Sequence, residues 1–189
     1  ISIGFLGRIN KNKGIEDLLE VFNNLDTENI TLMIGGHSDQ EYLEYLNSIS
    51  KEPKKENIKY LGYIENRKEF FDGIDIFIFP SFSEGLGLVL LEAMSFSKIC
   101  ITRDLPPMNK YLSLDNGYLF TDNNTMLDSL NEAIHDLRYD KNKIKSKLFN
   151  IEEVVKNASV ASIFPLLEKV YNYEWLQIFR NWKKMAEKL

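Results

Sequence analysis

The run IDIFIF at residues 74–79 is apolar at every position but one and is ended by Pro80. A strand without polar alternation has both faces covered, as in the middle of a parallel sheet. It therefore needs helices above and below the sheet, and the rest of the chain supplies them. Short apolar runs at 1–6, 30–34, 58–61, 99–102 and 117–120 read as further strands. Amphipathic stretches at 14–25, 39–50, 67–71, 88–96 and 125–137 read as the helices between them, with Asp39 a cap for the second. The fold class that follows is α/β, a Rossmann-like parallel sheet with helices on both faces. Beyond residue 139 the pattern turns wholly helical. A lysine-rich turn of helix at 141–147 reads as solvated, 151–173 as helical apart from Pro165, and 174–189 as an amphipathic helix. We expect a sheet domain over 1–140 and a helical extension over 141–189.

Size and charge narrow the functional classes. A chain of 189 residues buries about 70% of its unfolded surface and needs no disulfide staple. The single cysteine, Cys100, lies in the apolar stretch KICIT, which suits a reducing compartment such as the cytoplasm. A net charge of −5 argues against non-specific binding of nucleic acid. No apolar run approaches the roughly 20 residues of a membrane span. The chain opens ISIGFLGR, with neither an initiator Met nor a signal peptide. We read it as a piece of a longer protein.

Three strand exits carry polar chemistry, and ligands of open α/β sheets bind at that edge. In FLGRINKNKG, Arg8 and Lys13 could converge on a diphosphate, Arg as a planar fork and Lys as a point charge. By spacing alone they are equally two solvated cations on a polar loop. In SFSEGLGLVLLEAM, Gly85 and Gly87 free the backbone for close approach to a ligand. The helix beginning there aims its unpaired N–H groups at the same edge. Glu84 precedes that helix. Glu92 sits inside it between Leu90, Leu91, Ala93 and Met94, where a carboxylate is costly unless paired. It could accept from two vicinal hydroxyls, as on a ribose, or face solvent or a lysine. The third exit, IGGHSD, presents His37, which is more commonly a surface residue than a catalyst. Neither the two histidines nor Cys100 shows metal-ligand spacing, so we expect no metal site. Asp72 and Asp75 read as a helix end and a strand entry.

Taken in order, these segments resemble the C-terminal, donor-binding domain of retaining glycosyltransferases of the GT-B fold, family four. GRINKNKG is similar to that family's Gly-Arg-(Leu/Ile)-x3-Lys-Gly loop. ITLMIGG resembles its second strand and glycine turn, and IKYLGYI its strand ending in Leu-Gly. DIFIFPSFSEGLGLVLLEAM resembles its Pro-Ser and Glu-x7-Glu signature, and NGYLF its late Asn-Gly-x-Leu-Phe hairpin. The likeness covers roughly residues 1–137.

The resemblance implies roles at matching positions. Arg8 and Lys13 would bind the diphosphate and stabilise it as it leaves, with no metal or other cofactor required. Glu84 would hydrogen-bond the donor sugar near its anomeric carbon. Backbone amides of Gly85, Leu86, Gly87 and Leu88 would contact sugar and phosphate. Glu92 would hold the ribose hydroxyls, and Tyr63 would border the base. The implied donor is a UDP- or GDP-sugar, and the implied acceptor a glycan or a lipid-linked glycan in polysaccharide biosynthesis. An N-terminal domain of the same chain would complete the cleft, leaving this domain inactive by itself. The loop RDLPPMNKYL departs from the family pattern, where many relatives carry a Gly and a Glu; His37 and Arg103 are candidate specificity residues. A non-catalytic nucleotide- or sugar-binding module is the competing reading. In the final helix Trp175, Phe179, Trp182 and Ala186 form one stripe. That stripe could pack on the sheet domain or the N-terminal domain, or make a peripheral contact on the inner membrane surface.

Overall fold

The computed structural model describes residues 1–26, 28–49 and 54–158. The stripe of Trp175, Phe179, Trp182 and Ala186 lies outside them. The chain divides into two compact units, Ile1–Glu152 and Glu153–Leu189.

The first unit holds a parallel sheet built from β1 (Ser2–Leu6), β2 (Thr31–Gly35), β3 (Ile58–Gly62), β4 (Ile76–Phe79), β5 (Ile99–Arg103) and β6 (Tyr118–Phe120). Their spatial order is β3-β2-β1-β4-β5-β6, every pair parallel. Helices α1 (Ile15–Asn24), α2 (Gln40–Ile49), α3 (Arg67–Asp72) and α4 (Leu88–Ser95) follow the first four strands in turn, and α5 (Asn123–Tyr139) and α6 (Lys141–Asn157) follow β6. The expected α/β, Rossmann-like architecture is the observed one.

Within the apolar run 74–79, Ile76–Phe79 form β4, and all four are buried. Ile3 and Gly4 of β1 pair with Ile76 and Phe77 on one side, and β5 pairs along its length on the other. Phe77 meets Phe71 edge to face at 5.8 Å, and Phe71 stacks on Phe96 at 5.0 Å. Right-handed crossovers put α3 and α4 on that face. Helix α1 packs against α2 and α5. The strand order reverses between β1 and β4, which both run the same way, and a sheet of this order opens its crevice beyond the strand ends at that point.

Two expectations change. NGYLF does not form a hairpin, because β6 lies parallel to β5 with Ile101 opposite Tyr118. The stretch 141–157 is one continuous helix, joining the helical turn expected at 141–147 to the helix expected from 151. Within it Lys147 is buried: its Nζ donates to the carbonyls of Leu114 at 2.5 Å and Gly117 at 2.8 Å and lies 4.4 Å from the centre of the Tyr118 ring. Carbonyl oxygens and a ring face replace its water, so a lysine that looks solvated in sequence ties α6 to the loop before β6. Asp75, in contrast, enters its strand as expected: it accepts from the Ser2 amide at 2.8 Å and its own N–H donates to the Ser2 carbonyl.

Candidate functional site

The loops after β1 and β4 leave the sheet on either side of the reversal point and are joined to each other. The Phe82 amide donates to the Asn12 carbonyl at 3.0 Å. Gly14 takes φ +70° and lies against Pro80, where a Cβ would come within 2.4 Å of the Pro80 carbonyl oxygen. Glycine is required there by both backbone angle and space. The loop after β2 closes the other flank: Gly7 N–H donates to Gly35 O at 3.1 Å and Ile9 N–H to His37 O at 2.9 Å.

At this junction Lys13 Nζ donates to Glu84 Oε1 at 2.5 Å. The two side chains are 20% and 15% exposed, so the pair is half withdrawn from water yet reachable from the cleft. Arg8 is exposed on the same loop and forms no ion pair with another described residue. The sequence brought Arg8 and Lys13 together on a common ligand; the structure holds Lys13 on a carboxylate and leaves Arg8 exposed.

Gly87, at φ +63°, turns the chain into α4, and no side chain caps the helix start. The first turn carries no acidic residue, so the positive end of the helix is unneutralised there. Gly85 is exposed with open space where a Cβ would stand, Gly87 is buried, and Leu86 and Leu88 are half-buried. These amides form a strip beside the Lys13–Glu84 pair, fit to receive an anion.

Glu92 lies one turn further along α4 with its side chain 26% exposed. Burial pushes its carboxyl above the ordinary carboxylate range, and Arg67 pulls it back. Arg67 Nη1 donates to Glu92 Oε2 at 3.4 Å. Sequence reasoning missed Arg67, although a cation at the first residue of a helix runs against the helix dipole. Tyr63 follows β3 and is exposed over most of its surface. His37 is exposed, and its carbonyl accepts from the Ile9 amide.

Arg103 is a correction. It is buried, donates to Thr121 O at 2.8 Å and Asp17 Oδ2 at 3.0 Å, and lies 4.2 Å from the centre of the Phe82 ring. Its donors are spent on joining β5, α1 and the loop after β6, which leaves a structural clamp rather than a specificity residue. Among the described residues no cluster of three His, Cys, Asp or Glu side chains forms a metal-binding group.

Fold and site together define a Rossmann-like domain with an anion-receptive cleft at its point of strand reversal. The chain belongs to the family Glycosyl transferases group 1, whose model matches residues 1–148. A glycogen synthase of Bacillus cereus (strain B4264) is 31% identical over 143 residues, covering 70% of this chain and 30% of that protein. The chain thus spans about a third of the length of the curated relatives it matches. Anabaena Alr3699/HepE, solved in complex with UDP, superposes with a TM-score of 0.78 at 19% identity, covering 89% of this chain and 47% of that one. The C-terminal domain of the group 1 family protein LpcC from Francisella tularensis superposes with a TM-score of 0.72 at 23% identity, covering 82% of this chain and 84% of that one.

Proposed function

We propose that the chain is the donor-binding half of a retaining, family-four hexosyltransferase that takes its sugar from a UDP- or GDP-sugar. One observation carries this reading: the Lys13–Glu84 pair and the uncapped start of α4 lie on the two segments that leave the sheet at its reversal point, with Glu92 one turn into that helix. A nucleotide sugar presents matching groups in order: sugar hydroxyls, a diphosphate and a ribose diol. Arg8, Lys13 and the amides of Gly85–Leu88 receive the diphosphate and stabilise the charge that grows on it as the glycosidic bond breaks. Glu84 accepts from the sugar's hydroxyls, Glu92 from the ribose, and Tyr63 borders the base. The cations and helix amides do this without a required metal ion. An N-terminal domain brings the acceptor, a glycan or lipid-linked glycan, to the opposite side of the cleft. Without it this domain binds donor and transfers little or nothing.

A thermal-shift screen of the chain against millimolar UDP, GDP and their hexose conjugates tests the reading, with and without a chelator. The expected result is a rise of about 3–5 °C with one base series, as for a ligand near ten times its Kd, unchanged by the chelator. No shift with any nucleoside diphosphate overturns the proposal.

A further inference from the structure

We propose that Arg67 is a positioning residue of the nucleotide site, engaging one oxygen of the Glu92 carboxylate and leaving the other for a ribose diol. The inference deepens the donor-binding reading and rests on it. Arg67 reaches Oε2 at 3.4 Å, and among the described residues Oε1 has no protein partner. The hydroxyl of Ser95 does not compete, since it donates to the Glu92 backbone carbonyl at 2.7 Å. Arg67 is the only charged group among the described residues that offsets the burial of Glu92.

The placement of Arg67 is itself set by chemistry. It is the first residue of α3, and the preceding Asn66 caps that helix by accepting from the Glu69 amide at 3.1 Å. A cation at a helix start is disfavoured by the dipole, and its neighbour Lys68 is committed to Asp72. Local rules broken without local gain mark functional positions. Here the gain is on α4, where Glu92 stands between the buried Leu91 and Ala93. A charged carboxylate accepts from hydroxyls more strongly than a neutral carboxyl does. Removing Arg67 leaves burial unopposed, and Glu92 then takes up its proton at higher pH.

The test is titration calorimetry of the 189-residue chain with UDP or GDP, whichever binds, between about pH 5 and pH 8. Arg67→Gln, Arg67→Lys and Glu92→Gln are compared with the wild type. Arg67→Gln is expected to bind about fivefold more weakly at neutral pH, with the gap widening as pH falls. Arg67→Lys restores most of the affinity, and a 2′,3′-dideoxy nucleotide binds wild type and Arg67→Gln alike. If Glu92→Gln weakens binding while Arg67→Gln follows the wild-type pH curve, this inference alone is overturned. If the wild type binds no nucleotide, or Glu92→Gln binds as the wild type does, the donor-binding reading falls and this inference falls with it.

Discussion

Lys13→Met weakens binding of the nucleoside diphosphate by about 100-fold, the usual cost of removing one member of a desolvated charge pair that also serves a ligand. Two effects add. The diphosphate loses a cation, and Glu84 becomes an unpaired carboxylate beside the incoming anion. Glu84→Gln acts in the opposite direction on the bare nucleotide. It frees Lys13 from its 2.5 Å partner and removes a like charge, so UDP or GDP binds several-fold more tightly. The same variant loses the extra affinity that a nucleotide sugar has over its nucleotide, because Glu84 is the group that meets the sugar. Calorimetry of wild type, both single variants and the double variant gives the coupling. If the two single substitutions shift affinity in the same direction, the pair does not work as described. Folding changes less than binding: losing one partner of a pair only 20% and 15% exposed costs about 1–2 kcal/mol, a fall of a few degrees in melting temperature.

Gly36→Ala has the largest expected effect on stability. Gly36 takes φ +146°, and a Cβ there would lie 1.7 Å from the Gly7 carbonyl oxygen and 2.9 Å from its carbon. Both are backbone atoms at the end of β1 and cannot rotate away. The chain must pull apart where β1, β2 and β3 leave the sheet, which also breaks the Gly36 N–H bond to Gly62 O at 2.7 Å. A cost of roughly 3 kcal/mol or more follows, with a fall of about 10 °C in melting temperature. Gly85→Ala is the internal control. A Cβ there meets nothing within 4 Å and the φ is not left-handed, so stability stays within about 0.5 kcal/mol of wild type. Thermal melts followed by circular dichroism read both; equal melting temperatures for Gly36→Ala and wild type contradict the account of the strand ends.

These variants also mark how far sequence alone reaches. The strand run at 74–79, the glycine turns and the Glu84-to-Glu92 spacing are local patterns, and each maps onto one element or one loop. The Asp39 cap is local too, and it is formed by acceptance from the Tyr42 amide at 2.8 Å. What failed was non-local. Lys147 reads as solvated because its two carbonyl partners lie some thirty residues earlier. Arg103 reads as a site residue because it ends a strand, while Asp17, which holds it, is 86 residues away. Arg67 and Glu92 are 25 residues apart and meet because two crossovers bring α3 and α4 to one edge. The late hairpin failed for the same reason: a parallel register depends on a crossover and leaves no turn signal next to the strand.

The central claim is that one ligand spans the loops after β1 and β4. Amide chemical-shift mapping of the chain with UDP or GDP tests it most directly. The predicted result is that the largest shifts fall in two patches, residues 7–14 and 84–88, with smaller changes near Glu92, all saturating together at one affinity. Saturating shifts centred elsewhere on the sheet, or no shifts at millimolar nucleotide, would contradict it.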